Sequence, residues 1–197
     1  MNKHLHLVSA EHMSALIQPI RDTQVRIYSS AKHIFTDFDQ VQPLFIEQNA
    51  GALFAHELMI KTHVKMKIVV DESETFLGII TADGLSEQAI QGRVTKQSKR
   101  DDLLVRDFMQ PRHALKAIEY TDLLKSNVAD VISILRHSQE QHCLVVQSDR
   151  ASIKGLISAS DIIRKLHLSL ELNQNPSFND IHVYLKHHAD DLQLLSA

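Results

Sequence analysis

The sequence predicts an α/β fold, of the mixed α+β kind, in which one small unit is stated twice. Two observations carry this. Residues 67–85 read KIVVDESETFLGIITADGL, and residues 143–162 read CLVVQSDRASIKGLISASDI. Aligned, Ile68, Val69 and Val70 fall on Leu144, Val145 and Val146, and Gly78, Ile79, Ile80 and Thr81 fall on Gly155, Leu156, Ile157 and Ser158. Upstream, Thr36, Asp37 and Phe38 match Arg106, Asp107 and Phe108 at an offset of 70, Ile46 and Glu47 match Ile118 and Glu119 at 72, and Leu58 and Met59 match Ile134 and Leu135 at 76. The offset grows in small steps, as it does when short insertions fall in loops. Self-similarity of this kind has to be found before any element is assigned. Each unit spans roughly 60–65 residues, a size at which one core is marginal, so two units completing each other's apolar faces predict one tandem domain.

The elements follow in order. The first thirty residues carry little pattern beyond a short helix expected over residues 11–17, before Pro19. In the first unit, residues 31–90, residues 44–47 read as a strand, Asn49 and Gly51 lie near a helix start, and Ala52, Ala55, Leu58 and Met59 line its inner face. Residues 67–70 and 76–80 read as the next strands. A basic connector, residues 91–102, holds Arg93, Lys96, Lys99 and Arg100. It reads as a solvated helical link, or alternatively as a phosphate-facing strap. In the second unit, residues 103–168, residues 115–120 form a strand; Val128, Val131, Ile132 and Leu135 then recur at helical spacing with Asn127 placed to cap. Residues 143–147 are an apolar run too short for a helix and hence a buried strand; Ser148, Asp149 and Arg150 make the turn, and residues 153–157 form the next strand. A helix follows with Ser158 or Ser160 as its N-cap and Asp161 in its first turn. Each unit thus runs strand, helix, strand, strand, helix. Beyond Pro176, over residues 176–197, Ile181, Tyr184, Leu185, Leu192 and Leu195 define an amphipathic helix that either covers the tandem unit or builds a dimer contact.

Composition narrows the function classes. With 197 residues, 44% hydrophobic and 23% charged, the chain is an ordinary globular protein. Its net charge of −3 gives no global drive towards nucleic acid or anionic membrane. No apolar stretch approaches the roughly 18 residues of a membrane span, and the opening MNKHLHLVSAEHMSAL lacks the apolar run of about 7–15 residues that a signal peptide needs. The single cysteine, Cys143, excludes an internal disulfide and reads as a buried core residue, which fits a cytoplasmic protein. Thirteen histidines, with His182, His187 and His188 and then His4 and His6 the nearest groupings, do not converge at metal-ligand spacing, so no metal is expected. Asp37 and Asp107 read as turn and cap residues. There is no Gly-x-Ser-x-Gly, no Walker loop and no His-Glu-x-x-His, so no enzyme is expected.

The chemistry concentrates at Gly155-Leu156-Ile157-Ser158-Ala159-Ser160-Asp161, where a strand turns at once into a helix. Backbone N–H groups at a helix start attract anions. Serine hydroxyls there can donate to a phosphate oxygen, and a carboxylate three residues later can accept from two vicinal hydroxyls of a ribose. Glycine in the strand allows close approach of another backbone or a ligand. Such a constellation suits a nucleoside phosphate, whereas the bland alternative is a capping pair with no ligand.

These features resemble the cystathionine-β-synthase (CBS) domain, and the pair resembles a Bateman module. The resemblance rests on Gly-x-x-Ser-x-x-Asp, on VRDFM at residues 105–109, on GLISASDIIRKL at residues 155–166 and on the diverged first copy, and it covers about residues 30–167. It implies two repeats packed sheet to sheet about a pseudo-two-fold axis, with clefts for AMP, ADP, ATP or S-adenosylmethionine. By resemblance Ser158 meets phosphate and Asp161 the ribose, with Gly155, Ala159 and Ser160 beside them. Residues 111–115, including His113 and Ala114, border the adenine together with His142. The first copy departs from the pattern, because aspartate follows Thr81 by two residues, as Asp83, and Gly84 holds the ribose position. A weak or altered first cleft is expected. The resulting expectation is a non-catalytic, cytoplasmic regulatory protein that binds an adenine nucleotide or S-adenosylmethionine, needs no cofactor, forms a homodimer and acts in trans on a partner. The alternative is a ligand-free interaction module; nucleic-acid binding through residues 93–100 ranks below both.

Overall fold

The computed structural model describes residues 24–95, 99–170 and 175–188; the expected helix over 11–17, Lys96, His4, His6, Leu192 and Leu195 lie outside them. The elements are β1 (Phe35–Asp37), β2 (Phe45–Glu47), α1 (Ala52–Lys61), β3 (Met66–Val70), β4 (Phe76–Thr81), α2 (Glu87–Arg93), β5 (Gln110–Pro111), β6 (Ala117–Glu119), α3 (Tyr120–Leu123), α4 (Val128–Leu135), β7 (His142–Gln147), β8 (Ser152–Ser158), α5 (Ala159–Lys165) and α6 (Phe178–His187). They build two four-stranded sheets, ordered β2-β3-β4-β5 and β1-β8-β7-β6.

Alternation along the strands sets the layers. Met66, Ile68, Val70 and Ile79 of one sheet meet Leu144 of the other in a shared core, joined by Ile153 and Leu156. The opposite faces pack on helices: Val69 and Ile80 meet Ala52, Ala55 and Met59 of α1, and Val145 and Ile157 meet α4, α5 and α6. Sheet therefore faces sheet, with helices outside, as the resemblance implies. Both copies even carry the same irregularity: register slips between Val69 and Val70 in one hairpin and between Val145 and Val146 in the other.

The opening strands change sides. β1 pairs antiparallel with β8 of the second unit, and β5 pairs antiparallel with β4 of the first. Thr36 stands opposite Leu156 as Gln110 stands opposite Ile79, so the true equivalents of Thr36 and Asp37 are Gln110 and Pro111, 74 residues on rather than 70. The backbone agrees: Ala31 N–H donates to Ser126 at 2.9 Å as Val105 N–H donates to Ala50 at 2.9 Å. Each crossing is close. A Cβ on Gly155 would lie 2.0 Å from the Thr36 carbonyl oxygen, and one on Gly78 would lie 2.2 Å from that of Gln110. Asp37 and Asp107 hold local turns, as expected, accepting from Asp39 N–H at 3.0 Å and Leu104 N–H at 2.9 Å. Asp37 also pairs with Lys154 of β8 at 3.0 Å, pinning the crossing strand.

Two further differences from the sequence reading have local causes. The expected strand over 115–120 is cut at Glu119 by the four-residue α3, an insertion that matches the step in offset from 72 to 76. In the first unit the helix after β4 starts late. Ser86, whose hydroxyl accepts from Ala89 N–H at 3.3 Å, outcompetes Thr81 as the N-cap, and residues 83–85 form a single tight turn. Asn127 caps α4 as expected, with Asp130 closing a capping box. In the connector, Arg100 binds Glu87 at 2.5 and 2.6 Å, and the Arg93 guanidinium lies 5.2 Å from the centre of the Phe108 ring. α6 lies against α4 and α5, burying Phe178 and Ile181 in the second unit's core, and so covers the tandem unit. Cys143 is buried, and burial pushes its thiol up to about 11.

Candidate functional site

The turn from β8 into α5 opens on a cleft of about 480 Å³. The second unit lines it with His142, Leu156, Ser158, Ser160, Asp161 and Arg164; the first unit adds Thr36 from β1, together with His63, Lys65 and Met66 around the start of β3. Ser158 occupies the N-cap position of α5 but makes no capping hydrogen bond, so the helix leaves its hydroxyl uncommitted. Asp161 stands one turn on, its side chain 26% exposed, paired with Arg164. With seven residues, α5 is too short for its end to dominate. Basic side chains from both units, Lys65 and Arg164, instead supply positive charge around the single carboxylate. The arrangement can take a group carrying both an anion and vicinal hydroxyls.

Of the residues expected at the site, the structure brings Ser158, Ser160, Asp161 and His142 together. It does not bring the others. The Gly155 Cα is covered by the Thr36 carbonyl and the Phe35 ring, so the close approach it permits is that of a strand. Ala159 is fully buried in the helix-side core. His113 and Ala114 follow β5, which crosses to β4, so they sit by the first unit's sheet; Ala114 lines a separate cavity of about 360 Å³ that shares only His142 with the cleft. The expectation had kept each opening strand with its own repeat. The strand actually beside Ser158 is β1, and the lining residues missed were Thr36, His63, Lys65 and Met66. The signal was present: at the offset of 76, Lys65 and Met66 are the counterparts of Gln141 and His142.

The corresponding point in the first unit is closed by its own bonds. The Thr81 hydroxyl accepts from Gly84 N–H at 3.1 Å. Asp83 sits on the tight turn, not around a helix, and its oxygens accept from Gln141 and Asn175, each at 2.8 Å.

His142 stands between the two. Its Nδ1 is sealed from solvent without a hydrogen-bond partner. Burial pushes the ring down to about 4, with Asp161 raising it, Lys65 lowering it and Asp83 raising it by smaller amounts. A depressed folded-state value means that the unfolded chain binds the proton first. Stability from the neutral ring is present above about pH 6.5 and is lost as pH falls towards 4. His142→Met, which installs the first unit's residue, is expected to remove on the order of 3 kcal/mol of pH-dependent loss of stability over that window; an unchanged slope of stability against pH would contradict this.

Residues 105–168 match the family model of the CBS domain. No curated protein sequence matches the chain. Among solved structures, the fold is similar to an uncharacterized conserved protein from Pyrococcus horikoshii, at 18% identity over 75% of this chain and 98% of that one, with a TM-score of 0.52. It is also similar to CBSX2 of Arabidopsis thaliana in complex with AMP, at 18% identity over 70% and 94%, TM-score 0.50. A third is the CBS domain of the bacterial CNNM/CorC family Mg2+ transporter in complex with ATP, at 16% identity over 73% and 91%, TM-score 0.51. The class is thereby set: the fold is that of the tandem CBS pair, the Bateman module. Residues 105–168 carry the CBS sequence pattern, and the first unit keeps the same fold with a diverged helix start. Among the described residues, no helix is long and apolar enough to cross a membrane and no group of three His, Cys, Asp or Glu is placed to hold a metal ion.

Proposed function

We propose that the protein is a non-catalytic regulatory module that senses an adenosine-containing ligand, AMP, ADP, ATP or S-adenosylmethionine, and acts in trans on a partner protein. The observation that carries this is Ser158: a largely buried residue at a helix start whose hydroxyl the helix does not use, one turn from Asp161 and lining, with Lys65, a cleft of nucleotide size. Ser158 with Lys65 takes the phosphate, Asp161 the ribose hydroxyls, and Leu156 with Met66 the base. AMP and ATP in the complexes of two similar folds support the ligand class. A ligand between repeats biases only the arrangement it binds better, so the output is a change in the packing of the pair or of a homodimer. Phe54, Ile60 and Ile134, exposed on α1 and α4, offer apolar surface for that association.

Thermal unfolding with AMP, ATP and S-adenosylmethionine tests the reading. At 100 times its dissociation constant the right ligand adds about 2.7 kcal/mol, a rise of roughly 5–10 °C for a chain of this size. No rise with any of them favours the alternative, an interaction module without a ligand.

A further inference from the structure

The segment ahead of α6 touches both clefts. Asn175 adopts a left-handed backbone, φ 48°, just before Pro176. Its side-chain oxygen accepts from Lys65 Nζ at 2.7 Å, and its amide nitrogen donates to Asp83 at 2.8 Å. The other Asp83 oxygen is held by Gln141 at 2.8 Å. The chain then runs along the first cleft's rim, where Phe178 N–H donates to Glu140 and Asn179 N–H to Ser138, both at 3.1 Å, while the Glu140 carboxylate accepts from Gln110 at 3.2 Å. Gln110 and Gln141 are the counterparts of Thr36 and Lys65 in the open cleft. In the first unit Asp83 is shared between Asn175 of the C-terminal segment and Gln141, while Gln110 is taken by Glu140, whose carbonyl in turn holds Phe178 N–H of that segment.

We propose that this segment is a built-in occupant of the first cleft, and that an anionic ligand entering the second loosens it by competing with Asn175 for the Lys65 ammonium. The coupling rests on the nucleotide reading above; the occupancy does not. A phosphate oxygen is a stronger acceptor for an ammonium than a neutral amide oxygen. Once Lys65 turns to it, Asn175 keeps only its bond to Asp83, and α6 loses an anchor at its entrance. Coupling between two binding events is reciprocal. Freeing Lys65 from Asn175 therefore raises ligand affinity by the factor by which ligand raises the opening of α6.

The test is hydrogen exchange of the α6 amides in the full chain, with and without ATP, in the wild type and in Asn175→Gly, with ATP binding followed by calorimetry. Glycine keeps the left-handed backbone without strain and removes only the side chain. Exchange in the free variant is expected to rise at least about tenfold, because both bonds of the Asn175 side chain to charged partners are lost. ATP produces a smaller rise in the wild type, where only the Lys65 bond is given up, and little further rise in the variant, which binds ATP tighter. Equal exchange in the two free proteins overturns the occupancy, and bound ATP without a rise in the wild type overturns the coupling. ATP binding to neither protein overturns the nucleotide reading and the coupling together, and basal exchange then decides the occupancy alone.

Discussion

Asp161→Ala is expected to weaken binding of AMP or ATP by roughly 10- to 150-fold while leaving the fold intact. The carboxylate would accept a charge-assisted bond from the ribose, and such a bond contributes about 1.5–3 kcal/mol. Its bond to Arg164 is an i,i+3 pair with the guanidinium largely in solvent, and exposed pairs of that kind contribute about 0–1 kcal/mol to stability. Affinity and stability therefore separate, which calorimetry and a denaturation curve on the same sample will show. Asp161→Asn, which keeps an acceptor without the charge, should fall between. Equal affinity in all three proteins removes Asp161 from the site.

The largest effect on stability is expected at Gly155. A side chain there points into the backbone of β1, with the Thr36 carbonyl at 2.0 Å and the Phe35 ring at 2.5 Å. Neither can retreat, because Phe35 packs against the core and against Tyr120, at 5.7 Å between ring centres. Gly155→Val should therefore expel β1 and cost about 4 kcal/mol or more, in the range reserved for disrupted cores. Gly92 is the control. It lies inside α2 with nothing within 4 Å of a built Cβ, so Gly92→Ala should raise the unfolding free energy by up to about 1 kcal/mol. A soluble, cooperatively folded Gly155→Val protein would show that the crossing is looser than its geometry.

The long apolar strands and the helix capped by Asn127 were legible because burial and capping leave local marks: a run of apolar residues, a 3.6-residue period, a side chain of the right length. The partners of β1 and β5 were not. Strands of two or three residues have no period to read, and what places them is a glycine some 120 residues away in one case and 30 in the other. Matching Asp37 to Asp107 by identity followed two similar local turns rather than the sheet. The same blindness misplaced half of the site. Ser158 and Asp161 announce themselves within one motif, whereas Lys65 becomes part of the cleft only through the packing of the repeats. In the first copy, Thr81 looked like the helix start and its hydroxyl does take the Gly84 N–H three residues on, but the turn there closes at Leu85 and the helix proper is capped by Ser86.

Because β1 and β5 each belong to the other half's sheet, the two halves are clasped in both directions. A protein nicked between residues 95 and 99 should stay assembled and soluble. Either piece expressed alone would carry a raw strand edge with a bare glycine at its centre, a surface ready to recruit any passing strand. The duplication is in that sense indivisible: removing either repeat strips its twin of a strand.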